Sequence, residues 1–134
     1  MGGSIPIHVA AAIAGTLGML HLIYTLRDWA GEPRYFRPRD KPLLDAMRAT
    51  KVALAPNGRD FWQALIGFHL SHSIGILLFV VLIELAIDPS LAWLRPGLVV
   101  VSLVYAVTSW LCWFATPTAG MTLATLLLAV GWLV

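Results

Sequence analysis

The chain has 134 residues, of which 59% are hydrophobic and only 12% charged, with a formal net charge of +2. A soluble domain carries roughly twice that charged fraction, and a mean hydropathy of +0.81 in long unbroken apolar runs excludes an ordinary water-soluble fold. Eight of the nine Lys and Arg residues fall in one loop, so the basic balance reports membrane topology rather than nucleic acid, and the single Cys112 excludes an intramolecular disulfide.

The first apolar segment, 5–26, has no Lys or Arg ahead of it. It therefore reads as a retained span and not as a cleaved signal, and Pro6 stands where N-myristoylation needs Ser or Thr. Ala10, Ala14, Gly18, His21 and Thr25 recur at helical spacing and define one face. The polar loop 27–60 follows and holds the eight basic residues, which places it in the cytoplasm and both termini outside. Within it, 41–54 carries Leu43, Leu44, Met47 and Leu54 near helical spacing, with Asp40 as a candidate cap. That pattern predicts a short amphipathic helix on the inner leaflet.

The second span, 61–87, contains "GFHLSHS". Gly67, Ser71 and Gly75 form a small-xxx-small ladder suited to helix packing, and His69 and His72 point to a different neighbour. The third span, 94–115, collects Ser102, Tyr105, Ser109 and Cys112 in one sector. The fourth, 118–134, aligns Thr118, Thr122, Thr125 and Ala129. Trp29 and Trp62 mark the inner boundary, and Trp93 and Trp132 the outer, as interfacial aromatics do. The expected fold is all-α: a single membrane domain, 1–134, built as a four-helix bundle with a short amphipathic cytoplasmic segment between helices 1 and 2.

A rise of about 1.5 Å per residue puts His21, His69, His72, Tyr105, Ser109 and Thr125 at roughly 8–16 Å from the cytoplasmic ends. These six are the candidate polar cluster or ligand site, and Ala14, Gly18, Gly67, Ser71 and Gly75 are the candidate packing residues. An intramembrane histidine is a functional hypothesis by default, but a neutral imidazole bonded to Ser, Thr or Tyr on a neighbouring helix also serves as bundle glue. Two imidazoles three apart can share a metal, and a bis-His haem would pair His21 with His69 or His72. Too few ligands are present for a di-iron site, so haem or metal is not favoured. Acid–base chemistry at Tyr105 and the histidines lacks a buried acid. Glu84 is the only carboxylate within a span and lies at the outer rim, where snorkelling or pairing with Arg95 accounts for it. No Gly-x-Ser-x-Gly, phosphate-binding Gly loop, paired-Asp lipid phosphotransfer motif or His-Glu-x-x-His is present, and no inverted repeat suggests a transporter.

The segments "GMLHLIYTLRD", "LLDAMRAT" and "FWQALIGFHLSHSIGILLF" resemble a family of small bacterial four-span membrane proteins that has no assigned activity. The resemblance rests on His21 and the Ser71-His72-Ser73 triplet, and family members often have Asn where this chain has His69. It implies four spans and no particular substrate. The expectation is a bacterial inner-membrane accessory or scaffolding subunit rather than an enzyme, with membrane lipids and other membrane subunits as partners, as in a respiratory or photosynthetic complex. The alternative is a binder of, or enzyme acting on, a lipophilic ligand through the intramembrane histidines.

Overall fold

The computed structural model describes residues 4–133 and is all-helical, with no β-strand among the described residues. Helix α1 runs Ser4–Ala30, α2 Lys41–Ala49, α3 Phe61–Leu85, α4 Arg95–Cys112 and α5 Ala115–Leu133, with a 3₁₀ turn, Pro89–Leu94, leading into α4. Four segments are long and apolar enough to cross a membrane: α1, α3, Pro89–Cys112 and α5 as far as Trp132. The expected end of the fourth span, Val134, lies outside the described residues.

The boundaries move where local chemistry dictates. Helix α1 continues to Ala30 and carries Arg27 and Asp28 into its last turns. Trp113 turns extended after α4, and Ala115 belongs to α5, whose first turn accommodates Pro117 because no intrahelical N–H is needed there.

The chain forms two compact units, one made of residues up to Gly18 together with those from Gly75 onward, the other of Met19–Ile74. In the first, Ile7, Ala10 and Ala11 of α1 pack with Phe79 and Ile83 of α3, Leu98 of α4, and Ala124 and Leu128 of α5. Ala14 joins Ala106 and Met121 in a second cluster. Small residues allow the close approach: a Cβ at Gly18 would stand 2.7 Å from Ile76 Cγ2 and 3.2 Å from Ile76 Cβ. At Gly75 the nearest atom to such a Cβ is the Tyr105 hydroxyl at 3.5 Å, an ordinary contact.

Hydroxyl groups join α4 to α5. Ser102 Oγ lies 2.7 Å from Thr125 Oγ1, whose own proton is shared between the carbonyls of Met121 at 2.8 Å and Ser102 at 3.1 Å. The Thr118 hydroxyl donates to the Ser109 carbonyl, and Trp110 Nε1 donates to Thr122 Oγ1. Interhelical bonds in a membrane average about 0.6 kcal/mol and reach about 1.7. Ser102→Ala, which leaves Thr125 its carbonyl acceptors, should cost about 0.6 kcal/mol, whereas Thr125→Val strands the buried Ser102 hydroxyl and should cost about 1–2. Reversible unfolding in mixed micelles measures the two; equal losses would contradict this assignment of donor and acceptor.

Glu84 meets neither solvent alone nor Arg95. Its carboxylate pairs with His8 Nδ1 at 2.9 Å, a partner 76 residues away. Arg95 donates instead to the Ala86 and Ile87 carbonyls, closing the end of α3. Asp88 caps the 3₁₀ turn: the backbone N–H and then the hydroxyl of Ser90 hold its carboxyl below the usual carboxylate range.

In the second unit, α2 is shorter and more firmly docked than the sequence pattern suggests. It ends at Ala49, and Leu54 lies outside it, 94% exposed. Leu44 is buried with Trp62 and Ile66 of α3, with Phe36 and Met47 packed around them. Asp40 occupies the N-cap position, but its side chain makes no capping bond. After α2, Lys51 and Asp60 form an antiparallel bridge and the Phe61 N–H donates to the Thr50 carbonyl at 2.9 Å.

Candidate functional site: a histidine cluster under a tethered strap

The last turns of α1 place His21, Thr25 and Asp28 on one helix face, since residues four and seven apart stack along it. The Thr25 hydroxyl donates to the His21 carbonyl at 2.8 Å, the local bond a β-hydroxyl readily makes within a helix. Asp28 is only 2% exposed. Its carboxylate receives three successive backbone N–H groups: Arg34 at 2.7 Å, Tyr35 at 3.0–3.1 Å and Phe36 at 2.7 Å. An ionised acceptor and a concave run of N–H donors are well matched. The bonds fold residues 31–36 back as a strap along the end of α1.

The strap delivers Phe36 to the histidines. Its ring stacks on His69 with centroids 4.1 Å apart and an interplanar angle of 22°, and lies 4.8 Å from His21. Phe36 also packs against the Leu44–Trp62–Ile66 cluster, so α2 and α3 both hold the strap. Tyr35 stacks on Tyr24 at 4.3 Å and accepts a hydrogen bond from Arg27.

His21 Nε2 and His69 Nδ1 are 3.0 Å apart. One nitrogen donates and the other accepts, so a single proton lies between the rings. His72 stands edge-on to His21, centroids 5.4 Å apart, and Phe68 stacks near-parallel to it at 6.2 Å. The three imidazoles are half-buried among aromatic rings. Such a cluster can hold a polar head group or relay a proton between rings. Among the described residues no group of three or more His, Cys, Asp or Glu side chains is arranged to hold a metal ion.

Of the six candidate site residues, His21, His69 and His72 thus come together. Tyr105, Ser109 and Thr125 belong to the other unit, where each has its own work. Tyr105 lies 5.8 Å from Phe79, centroid to centroid. The Ser109 hydroxyl donates to the Tyr105 carbonyl, and Thr125 pairs with Ser102. The hydroxyls next in sequence to the histidines bond backbone: Ser73 donates to the His69 carbonyl and Ser71 to that of Phe68. Of the candidate packing residues, Ala14 and Gly18 are buried, but Ser71 is exposed and nothing lies within 4 Å of a Cβ placed on Gly67.

Asp28 and Phe36 are the members that the sequence pattern does not single out. The available signal is the helical continuation of His21 and Thr25 to Asp28, seven residues on.

No family model matches the chain, and comparisons with curated proteins and with solved structures likewise return no match.

Proposed function

We propose that this chain is a small accessory subunit of a bacterial inner membrane, packing against lipids and other membrane proteins, with the loop between α1 and α3 on the cytoplasmic side and both termini outside. The observation that carries the reading is how the polar groups of the spans are spent. Serine and threonine hydroxyls bond carbonyls or one another, His21 bonds His69, and the large outward residues of α3 and α4 are mostly apolar. Along α3 these are Ile74, Leu78, Val81, Leu82 and Leu85, and along α4 Val100, Leu103, Val104 and Val107. Only 17% of the Pro89–Cys112 window and 33% of the α1 window is buried within the protein. That surplus of apolar surface suits lipid and neighbouring subunits. The basic loop supports the orientation.

Purification in mild detergent tests the proposal. A colourless protein that migrates with a larger membrane complex is the expected result. A Soret band or stoichiometric metal would overturn the purely structural role. A second reading, a lipophile held by the imidazoles, is favoured by the His21–His69 bond and the Phe36 cover. His72→Gln separates the two. In an accessory protein it should mainly lower thermal stability, by about 1 kcal/mol; loss of a bound lipophile at unchanged melting temperature would favour the second reading.

A further inference from the structure

The Met19–Ile74 unit contains a cleft of about 750 Å³ lined by both charged and apolar residues. Its lining includes Arg48 and Arg59, and also Gln63, Ile66, Gly67 and Leu70. The last four lie on one side of α3, at the three- and four-residue spacing of a helix face. Two carboxylates, Asp28 and Asp60, line the cleft as well. Neither is ion-paired with a guanidinium among the described residues: the Asp28 carboxylate accepts the three strap N–H groups, and that of Asp60 accepts the Gln63 N–H at the start of α3. The side chains of Arg48 and Arg59 have neither a hydrogen bond nor an ion pair among the described residues. Two tryptophans, Trp29 and Trp62, complete the lining, the residue type that settles at the boundary between head groups and hydrocarbon.

We infer that this cleft is a binding site for one acidic phospholipid, its phosphate on Arg48 and Arg59 and an acyl chain along Ile66, Gly67 and Leu70. Gly67 is the residue that makes room. The space where its Cβ would stand is open for 4 Å, so the small side chain shapes a groove and does not seat a neighbouring helix. A pair of guanidinium groups recognises a phosphodiester by charge and by its fork of donors, while the groove demands a chain. A zwitterionic lipid carries the same phosphodiester, but the ammonium group that follows it is repelled by the two guanidinium groups, so it meets the first requirement only in part. Free phosphate satisfies the first and not the second. The inference rests on the chain being membrane-embedded, and it names a lipid partner for that reading.

The test is native mass spectrometry of the full chain titrated with dioleoylphosphatidylglycerol and, separately, with dioleoylphosphatidylcholine. One molecule of the acidic lipid should bind at least tenfold more tightly than the zwitterionic one. The R48Q/R59Q double variant should weaken it roughly thirtyfold, the combined effect of two basic residues at a lipid surface. Gly67→Leu, which fills the groove and keeps both charges, should weaken it at least fivefold without lowering the melting temperature. Equal binding of the two lipids overturns the inference. So does a Gly67→Leu variant that binds as the parent does, because surface charge alone would then explain the preference, and so does full competition by inorganic phosphate. Failure of the chain to partition into membranes would overturn the membrane reading itself, a result distinct from lipid binding without selectivity.

Discussion

Asp28→Ala should release the strap and open the histidine cluster while leaving the hairpin of α4 and α5 intact. The carboxylate collects three backbone N–H groups in a buried position. Hydrogen bonds to a charged acceptor are each worth about 1.5–3 kcal/mol net, and the three share one acceptor, so they do not add fully. A local loss of about 2–4 kcal/mol follows, because the freed segment can still hydrate its own amides. Amide exchange at Arg34, Tyr35 and Phe36 should accelerate roughly a hundredfold, the factor that about 2.7 kcal/mol produces in an opening equilibrium. Phe36 then leaves His69, which should become reactive toward an imidazole-modifying reagent. Asp28→Asn keeps one oxygen acceptor but brings an amino group against N–H donors, so it should recover only part of the loss. Unchanged exchange at these three amides would show that the strap is held by Phe36 and Tyr35 packing and that the carboxylate is incidental.

The second large effect separates two glycines that look alike in the sequence. Gly18→Ala should destabilise by up to about 2 kcal/mol, because the new methyl meets Ile76 at 2.7 Å. The near atoms are Cγ2 and Cβ of a β-branched side chain, which cannot swing away. Overpacking of this kind costs about 1–3 kcal/mol, partly offset by about 1 kcal/mol of helix propensity gained over glycine. At Gly67 no atom stands in the way, so Gly67→Leu should be neutral or slightly stabilising. Gly120 lies between these cases: a Cβ there comes within 2.7 Å of Leu17 Cδ1, the mobile end of a leucine. Melting curves in one detergent order the three variants. A Gly18→Ala protein as stable as the parent would mean that α1 and α3 separate there without penalty.

These glycines also show how far a single sequence reaches. The apolar runs announce four spans because nothing else explains so few charges over such lengths. The face that carries Ala10, Ala14 and Gly18 is legible for the same reason, and all three are buried. Small residues at four-residue spacing, however, state only that a close approach is permitted. Gly67 and Ser71 satisfy the pattern and remain exposed. The pairing of His8 with Glu84 joins residues 76 positions apart, and no local rule contains it. Asp28 escaped for a different reason. A carboxylate at the end of an apolar run reads as a helix leaving the membrane, and its role depends on a strap conformation that exists only once the bonds are made. Likewise α2 ends at Ala49, before the pattern's last leucine. The chain after it is drawn into the Lys51–Asp60 bridge, and the sequence "PNG" that follows favours turns over another helical turn.

That bridge has a consequence for how the chain tolerates change. Because Lys51 pairs with Asp60 and Phe61 bonds Thr50, the two ends of the 51–60 segment meet, and α3 starts in fixed register with the end of α2 whatever lies between. Length inside the loop is thereby uncoupled from the helices on either side. Closure entropy grows only as the logarithm of loop size, so doubling this loop costs about 0.6 kcal/mol. The loop tip around Leu54, almost fully exposed, is the place where an epitope or a small fluorescent tag can be spliced into the chain with its spans undisturbed.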